Sequence, residues 1–276
     1  MRIRIHHETA YTYERPAQSV IQILRLTPRD HDGQYVRRWR IDLDHGGVLR
    51  QREDAFGNIV HVLSASGAFA EFSLAVDGEV ETQDTAGIVR GAVEYFPPEL
   101  YLRETPLTTP DDAIADFAKT AQGKAKNGTL DRMHKLLLEL HEHMAFEVGM
   151  TDSGTPAAEA FARGKGVCQD LTHVFIAACR TLGIPARYVS GHLFRSDAVT
   201  PQEAGHAWAE AYIGDLGWVG FDPVNGISPT DAYVRVAVGL DYLGAAPVRG
   251  AQTGGSEETL AVAVTVNQTA QQQQQG

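Results

Sequence analysis

Gly164-Lys165-Gly166-Val167-Cys168-Gln169-Asp170-Leu171-Thr172-His173-Val174-Phe175 carries a cysteine from a glycine-spaced approach straight into the opening turn of a helix. Leu171, Val174, Phe175, Ala178 and Leu182 recur at helical spacing, and Gly183 followed by Pro185 stops the run, so a helix is expected over 167–182. A thiol at that end feels the positive pole of the helix dipole, which favours thiolate. The unpaired N–H groups of the first turn can donate to an oxyanion as a carbonyl is attacked. The preceding glycines let backbone and substrate approach closely. One helix tip thus offers both a nucleophile and a stabiliser of the charge it creates.

A sulfur nucleophile needs a proton partner, and the strands downstream supply one. Runs at 186–193, 207–213 and 218–221 read as strands, the last two joined through Gly214-Asp215-Leu216-Gly217. Residues 206, 208, 210 and 212 of one strand share a face. If the hairpin pairs Ile213 with Gly217, Trp208 lies opposite Asp222. His206 and Asp222 then become diagonal neighbours, roughly 7–8 Å apart at Cα. That is near enough for the carboxylate to take one imidazole N–H and leave the other nitrogen for Cys168. A slip of one residue would put them on opposite faces.

Upstream, Thr109-Pro110-Asp111-Asp112 reads as an N-cap, a proline at the first helical position and two first-turn acids, with Gly123 at the end. A second helix follows Asn127-Gly128-Thr129, with Leu130, Met133, Leu137, Leu140 and Met144 on one stripe. A short third helix starts at Thr155-Pro156 and stops near Gly164. Before these helices, residues 1–95 are strand-like: Ile3, Ile5, His7, Thr9, Tyr11 and Tyr13 alternate, and later runs at 20–26, 35–43, 59–63 and 69–80 are broken by Asp/Gly turns. The expectation is a small antiparallel β-sandwich, a proline-marked linker at 96–108 and a core at 109–250. A strand within 251–268 is expected to close the core sheet, and a disordered glutamine-rich tail to occupy 269–276.

Composition narrows the function classes. Among 276 residues, 43% are apolar and the net charge is −11. Only Arg37-Arg38-Trp39-Arg40 approaches a basic cluster, so nucleic acid and anionic membranes are disfavoured partners. Neither a secretory leader nor an apolar run of membrane-spanning length is visible. Cys168 and Cys179 on one helix would be separated by roughly 16 Å at ~1.5 Å per residue. A disulfide needs less than about 7 Å, so both thiols should be reduced, which makes the cytoplasm the default location.

The chain resembles the transglutaminase-like superfamily. The resemblance is carried by 166–173, by Arg180-Thr181-Leu182-Gly183-Ile184-Pro185-Ala186-Arg187-Tyr188-Val189-Ser190-Gly191, by Gly205-His206-Ala207-Trp208-Ala209-Glu210 and by Gly217-Trp218-Val219-Gly220-Phe221-Asp222-Pro223. These blocks stand in the family's order, and the resemblance covers roughly residues 110–245. The resemblance implies an α+β, papain-like core with a Cys-His-Asp triad, which falls on Cys168, His206 and Asp222. Leu24-Arg25-Leu26-Thr27-Pro28-Arg29 and Asp54-Ala55-Phe56-Gly57-Asn58 resemble the β-rich domain that precedes this core in bacterial members, which are often described as candidate cysteine proteases. Larger calcium-binding, cross-linking members carry a tryptophan well upstream of the cysteine. Here none stands between Trp39 and Cys168, and no EF-hand-like loop is present.

Gly166, Gln169 and Trp208 are the candidate substrate contacts. Cys179, deep in the helix, reads as a core residue, and Tyr188 and His192 as sheet residues. His173 lies about 140° round the helix from Cys168 and is a poor base for it. His134, His141 and His143 lack the spacing and partners of a metal site, so no metal or cofactor is expected. The expected activity is thiol-dependent cleavage of a peptide, isopeptide or side-chain amide in a peptide or protein substrate. Amine transfer to the same thioester and a catalytically silent peptide-binding module are the alternatives.

Overall fold

The computed structural model describes residues 1–195, 205–255 and 258–269. Two long antiparallel strands, β1 (Arg2–Thr27) and β4 (Ile59–Thr82), form the spine of the N-terminal sheet. The sequence suggested two runs in each. The structure joins them, because register shifts between Thr12 and Ala17 and between Ala17 and Ser19 absorb Pro16, which has no N–H for a ladder. β2 (Gln34–Leu43) pairs with the C-terminal half of β4 and β3 (Val48–Glu53) with its N-terminal half. The sandwich is therefore one bent sheet. Tyr11, Tyr13, Val20, Leu24, Leu63, Phe72 and Leu74, drawn from both halves, share one core.

The chain then enters the second unit through β5 (Ile88–Val89), which pairs with Trp218 and Val219. A strand of the core sheet thus lies before residue 95, within the unit expected to be N-terminal. Helix α1 spans Asp112–Gly123. Its cap is Asp111, whose Oδ1 accepts the Ile114 N–H at 2.9 Å, while the expected cap Thr109 instead donates its hydroxyl to Thr105 O. Helix α2 (Gly128–His143) buries Met133, Leu136, Leu137 and Leu140. Next come β6 (Ala145–Phe146), α3 (Ala157–Arg163) and β7 (Lys165–Gly166), with β6 and β7 parallel.

Helix α4 (Cys168–Thr181) is central: every residue from Gln169 to Arg180 is buried. It packs against the other helices and against β8 (Ala186–Leu193) and β9 (His206–Ile213). With β10 (Gly217–Phe221) and β11 (Tyr233–Gly239) the core sheet runs β11-β8-β9-β10-β5. A short helix α5 (Tyr242–Ala245) ends the unit.

The final strands correct an expectation. β12 (Val248–Thr253) and β13 (Glu258–Gln268) both pair with β1, so they close the N-terminal sheet and not the core sheet. Val264 and Val266 fall opposite His7 and Ile5 and are buried with them, which matches the alternation of β1 and selects its open edge. The glutamine run at 271–275 lies outside the described residues. No described helix is long and apolar enough to cross a membrane.

Two side-chain amides fasten the sheets together. Asn58 donates to Val238 O and accepts from Val238 N, both at 2.8 Å. Gln34 treats Arg235 the same way, at 2.9 and 2.8 Å. Each amide mimics a strand neighbour on β11 and satisfies buried backbone groups there.

Candidate active site

The tip of α4 is built by its own first turn. The Asp170 and Leu171 N–H groups turn back to Val167 O, at 3.0 and 3.2 Å. The Val167 N–H goes to Asp170 Oδ2 at 2.8 Å. The N–H groups of Cys168 and Gln169 donate to no described residue, the normal condition of a helix start. Cys168 is partly exposed beside them.

His206 opens β9, opposite Gly191 of β8. The hairpin pairs Ile213 with Gly217 and Ala209 with Phe221, the register on which the sequence argument depended. Asp222 follows Phe221 and meets His206, whose Nε2–H donates to Asp222 Oδ2 at 2.7 Å. Cys168 stands close enough to His206 to help raise the pKa of the ring. With Nε2 given to Asp222, the nitrogen left for the sulfur is Nδ1. The structure therefore brings Cys168, His206 and Asp222 together.

Asp222 is fully buried and densely bonded. The Tyr233 hydroxyl and Asn225 Nδ2 each donate to Oδ2 at 2.7 Å, while the Val224 and Asn225 N–H groups donate to Oδ1 at 2.9 and 3.2 Å. Burial alone would raise its pKa. The facing His206 charge and the bonds from His206, Asn225 and Tyr233 hold it below the ordinary value instead. For His206, burial lowers the pKa, but Asp222, by charge and by hydrogen bond, and Cys168 outweigh burial and raise it to about 10. The arrangement is thus built to keep an imidazolium between sulfur and carboxylate.

Two tyrosines that sequence reasoning left aside also feel this sulfur. Tyr188 and Tyr242 are kept as neutral phenols chiefly by burial, with the Cys168 charge the next contribution in each. Their rings meet edge-on at 6.1 Å, and the Tyr242 N–H is anchored on His173 Nε2 at 3.0 Å. Nothing local in the sequence marks Tyr188, Tyr233 or Tyr242 as site residues. Asn225 had a signal, since Asp-Pro-Val-Asn favours the turn in which Asp222 caps its own followers.

The three candidate substrate contacts fare differently. Trp208 is only 2% exposed, its ring 6.2 Å from that of His206 and 5.4 Å from that of Tyr233. It braces the histidine from behind and offers no open wall. Gly166 is buried, and a Cβ there would lie 2.6 Å from Asp170 Oδ2, so the space the glycine leaves is taken by Asp170 and not by substrate. Gln169 is buried beside the nucleophile, with its Nε2 unpartnered. Cys179 is wholly buried with Sγ 3.5 Å from Met133 Sδ, and burial pushes its pKa up. The upstream histidines are separately engaged: the His134 ring meets that of Phe221, His141 Nδ1 lies 3.2 Å from Pro223 O, and His143 stacks on Phe161.

Residues 115–223 match the family described as the transglutaminase-like superfamily, and residues 3–81 match the bacterial transglutaminase-like N-terminal region. The chain is 29% identical to the uncharacterized protein ML0607 of Mycobacterium leprae over 98% of this chain and 99% of that one. It is 26% identical to the uncharacterized protein Rv2569c of Mycobacterium tuberculosis, over 94% and 90% of the two chains. A crystal structure of a candidate cysteine protease from Cytophaga hutchinsonii shares the fold, with a TM-score of 0.78 at 23% identity over 98% of this chain and 92% of that one. The two matched segments, in this order, assign the chain's parts: residues 115–223 are a core of the transglutaminase-like superfamily, and residues 3–81 are the N-terminal region of its bacterial members.

Proposed function

We propose that this protein is a cysteine-dependent amide hydrolase acting on peptide, isopeptide or side-chain amide bonds of a peptide or protein. The observation that carries the reading is the position of the His206 ring, held by Asp222 at 2.7 Å and standing beside Cys168, whose presence raises its pKa. In the proposed cycle the Cys168 sulfur, its proton on His206, attacks the carbonyl carbon. The free N–H groups of Cys168 and Gln169 hold the oxyanion. His206 then gives its proton to the departing amine as the C–N bond breaks, leaving a thioester on Cys168. Water, giving up a proton to His206, attacks the thioester and releases the acid and the thiol.

The net charge of −11 supports a peptide over a polyanion as substrate. The cycle needs a reduced Cys168, and we place the protein in the cytoplasm accordingly. A thiol-directed activity probe tests the nucleophile: labelling should persist in Cys179→Ala and vanish in Cys168→Ala. Equal labelling of wild type and Cys168→Ala would overturn the reading. Acyl donors supplied with a labelled primary amine separate the two fates of the thioester. Amine release should exceed label incorporation, and the reverse would make the protein a transamidase.

A further inference from the structure

Asp170 lies two residues beyond Cys168 with its carboxyl completely buried. One oxygen, Oδ2, accepts two bonds at once, from the Val167 N–H at 2.8 Å and from the Thr151 hydroxyl at 2.6 Å. It fits there because residue 166 has no side chain: a Cβ on Gly166 would stand 2.6 Å from Oδ2 and 2.8 Å from the Asp170 Cβ. The strand before Thr151 is sewn to the same approach, since Ala145 N donates to Gly164 O at 2.9 Å and Glu147 N to Gly166 O at 2.8 Å. Bonds from residues 145–151 therefore reach both sides of the nucleophile, Gly164 and Gly166 before it and Asp170 after it.

A helix cap alone would need the Val167 contact and nothing more. The Thr151 bond and the exclusion of a side chain at 166 serve no turn further along the helix. Both act on the place where Cys168 leaves the loop. We propose that Asp170 is the positioning residue of the nucleophile: through Val167 and Thr151 it locks the first turn of α4, so that Cys168 faces His206 and the Cys168 and Gln169 N–H groups stay free for the oxyanion. This inference rests on Cys168 being the nucleophile, but its test needs no substrate.

In a Cys179→Ala parent, the second-order rate of Cys168 alkylation by iodoacetamide is read at pH 7 by intact-protein mass spectrometry, with circular dichroism confirming the fold. Asp170→Ala should alkylate about tenfold more slowly, as a frayed tip removes the sulfur from His206 and from the helix dipole. Thr151→Val, which spares the cap, should slow it severalfold. Asp170→Asn keeps an oxygen for both donors and should stay within about twofold of the parent. A folded Asp170→Ala that reacts at the parental rate overturns the proposal, as does an Asp170→Asn as slow as Asp170→Ala. If Asp170→Ala does not fold, Thr151→Val decides, and a parental rate there overturns it. Failure of the nucleophile reading is distinguishable, because the parent would then alkylate no faster than a free cysteine in a model peptide.

Discussion

Asp222, with no exposed surface of its own, receives the Nε2 proton of His206 at 2.7 Å and has both carboxylate oxygens filled by neighbours. Removing its charge isolates its effect on the ring. In Asp222→Asn the largest influences raising the His206 pKa disappear, while burial, which lowers it, remains. The wild-type ring should hold both protons up to a pH of about 10. In the variant it should titrate near its ordinary value of about 6.5 or below. Histidine NMR titration reads this directly, and amide turnover should fall on the order of 10³-fold or more. A His206 titration unchanged by the substitution would show that the carboxylate does not set the ring's protonation.

Much of this site is legible in the sequence because its parts are local. The Cys168 helix start is punctuated by Gly164 and Gly166, and the pairing of Ile213 with Gly217 follows from a short turn, which carries His206 to Asp222. What is not legible depends on distant partners. Strand alternation told that 206 and 208 share a face but not what covers it, so Trp208 looked available when Tyr233 in fact packs on it. The alternation of Val262, Val264 and Val266 specifies a buried face and leaves the partner strand open, and that partner proved to be β1, some 260 positions away. Bulges around Pro16 are invisible to a period-two reading, which therefore split one strand in two.

Arg187 lies wholly buried under the core sheet, its guanidinium bonded to Glu210 at 2.7 Å and to both oxygens of Glu94 at 2.7 and 2.8 Å, with Trp218 stacked at 3.9 Å. Glu210 is equally buried and takes Arg235 on its other oxygen at 2.7 Å. Arg187→Met would leave two carboxylates facing a lost cation, a change that costs about 3–5 kcal/mol when a buried pair is broken on one side. Melting should fall by about 10 °C on the usual scaling. Arg187→Lys should fall short of rescue, because an ammonium cannot reach both acids or stack on the indole. Calorimetry of both variants checks this, and a loss under 2 °C in Arg187→Met would refute it.

The link between the sheets should be as sensitive. Asn58→Leu removes both bonds to Val238 and leaves its N–H and C=O unpaired in a buried interface. The expected cost is about 2–4 kcal/mol. Because Asp54 accepts the Asn58 Nδ2–H at 3.0 Å on Oδ2 and the Phe56 and Asn58 N–H groups on Oδ1, Asp54→Ala should loosen the same loop. A double-mutant cycle by urea unfolding should then show the two losses to be less than additive. Additive losses would mean that Asp54 and Asn58 act separately.

Burial sets the acid limit of the fold. His7 and His192 meet edge-on at 5.8 Å where the two sheets pack, and His173 lies inside α4. Burial, first of all, lowers their pKa values to about 4, about 3 and about 3. Each is neutral in the folded chain, whereas the unfolded chain takes up a proton below about 6.5. Their contribution is therefore complete above that pH and is lost as pH falls toward 4 and 3, because the unfolded state binds more protons throughout that interval. Unfolding free energy from urea titrations should rise as pH falls from 8 to 7, because His206, raised to about 10, holds its proton there only in the folded chain. It should then decline steeply from 6 to 4, by on the order of 2 kcal/mol for each buried histidine. Replacing His7 and His192 together by leucine removes two of these sites, at the cost of the bond between His7 Nε2 and the buried Thr9 hydroxyl. The double variant should therefore show a visibly shallower decline, and an acid limb as steep as that of wild type would assign the lability to other groups.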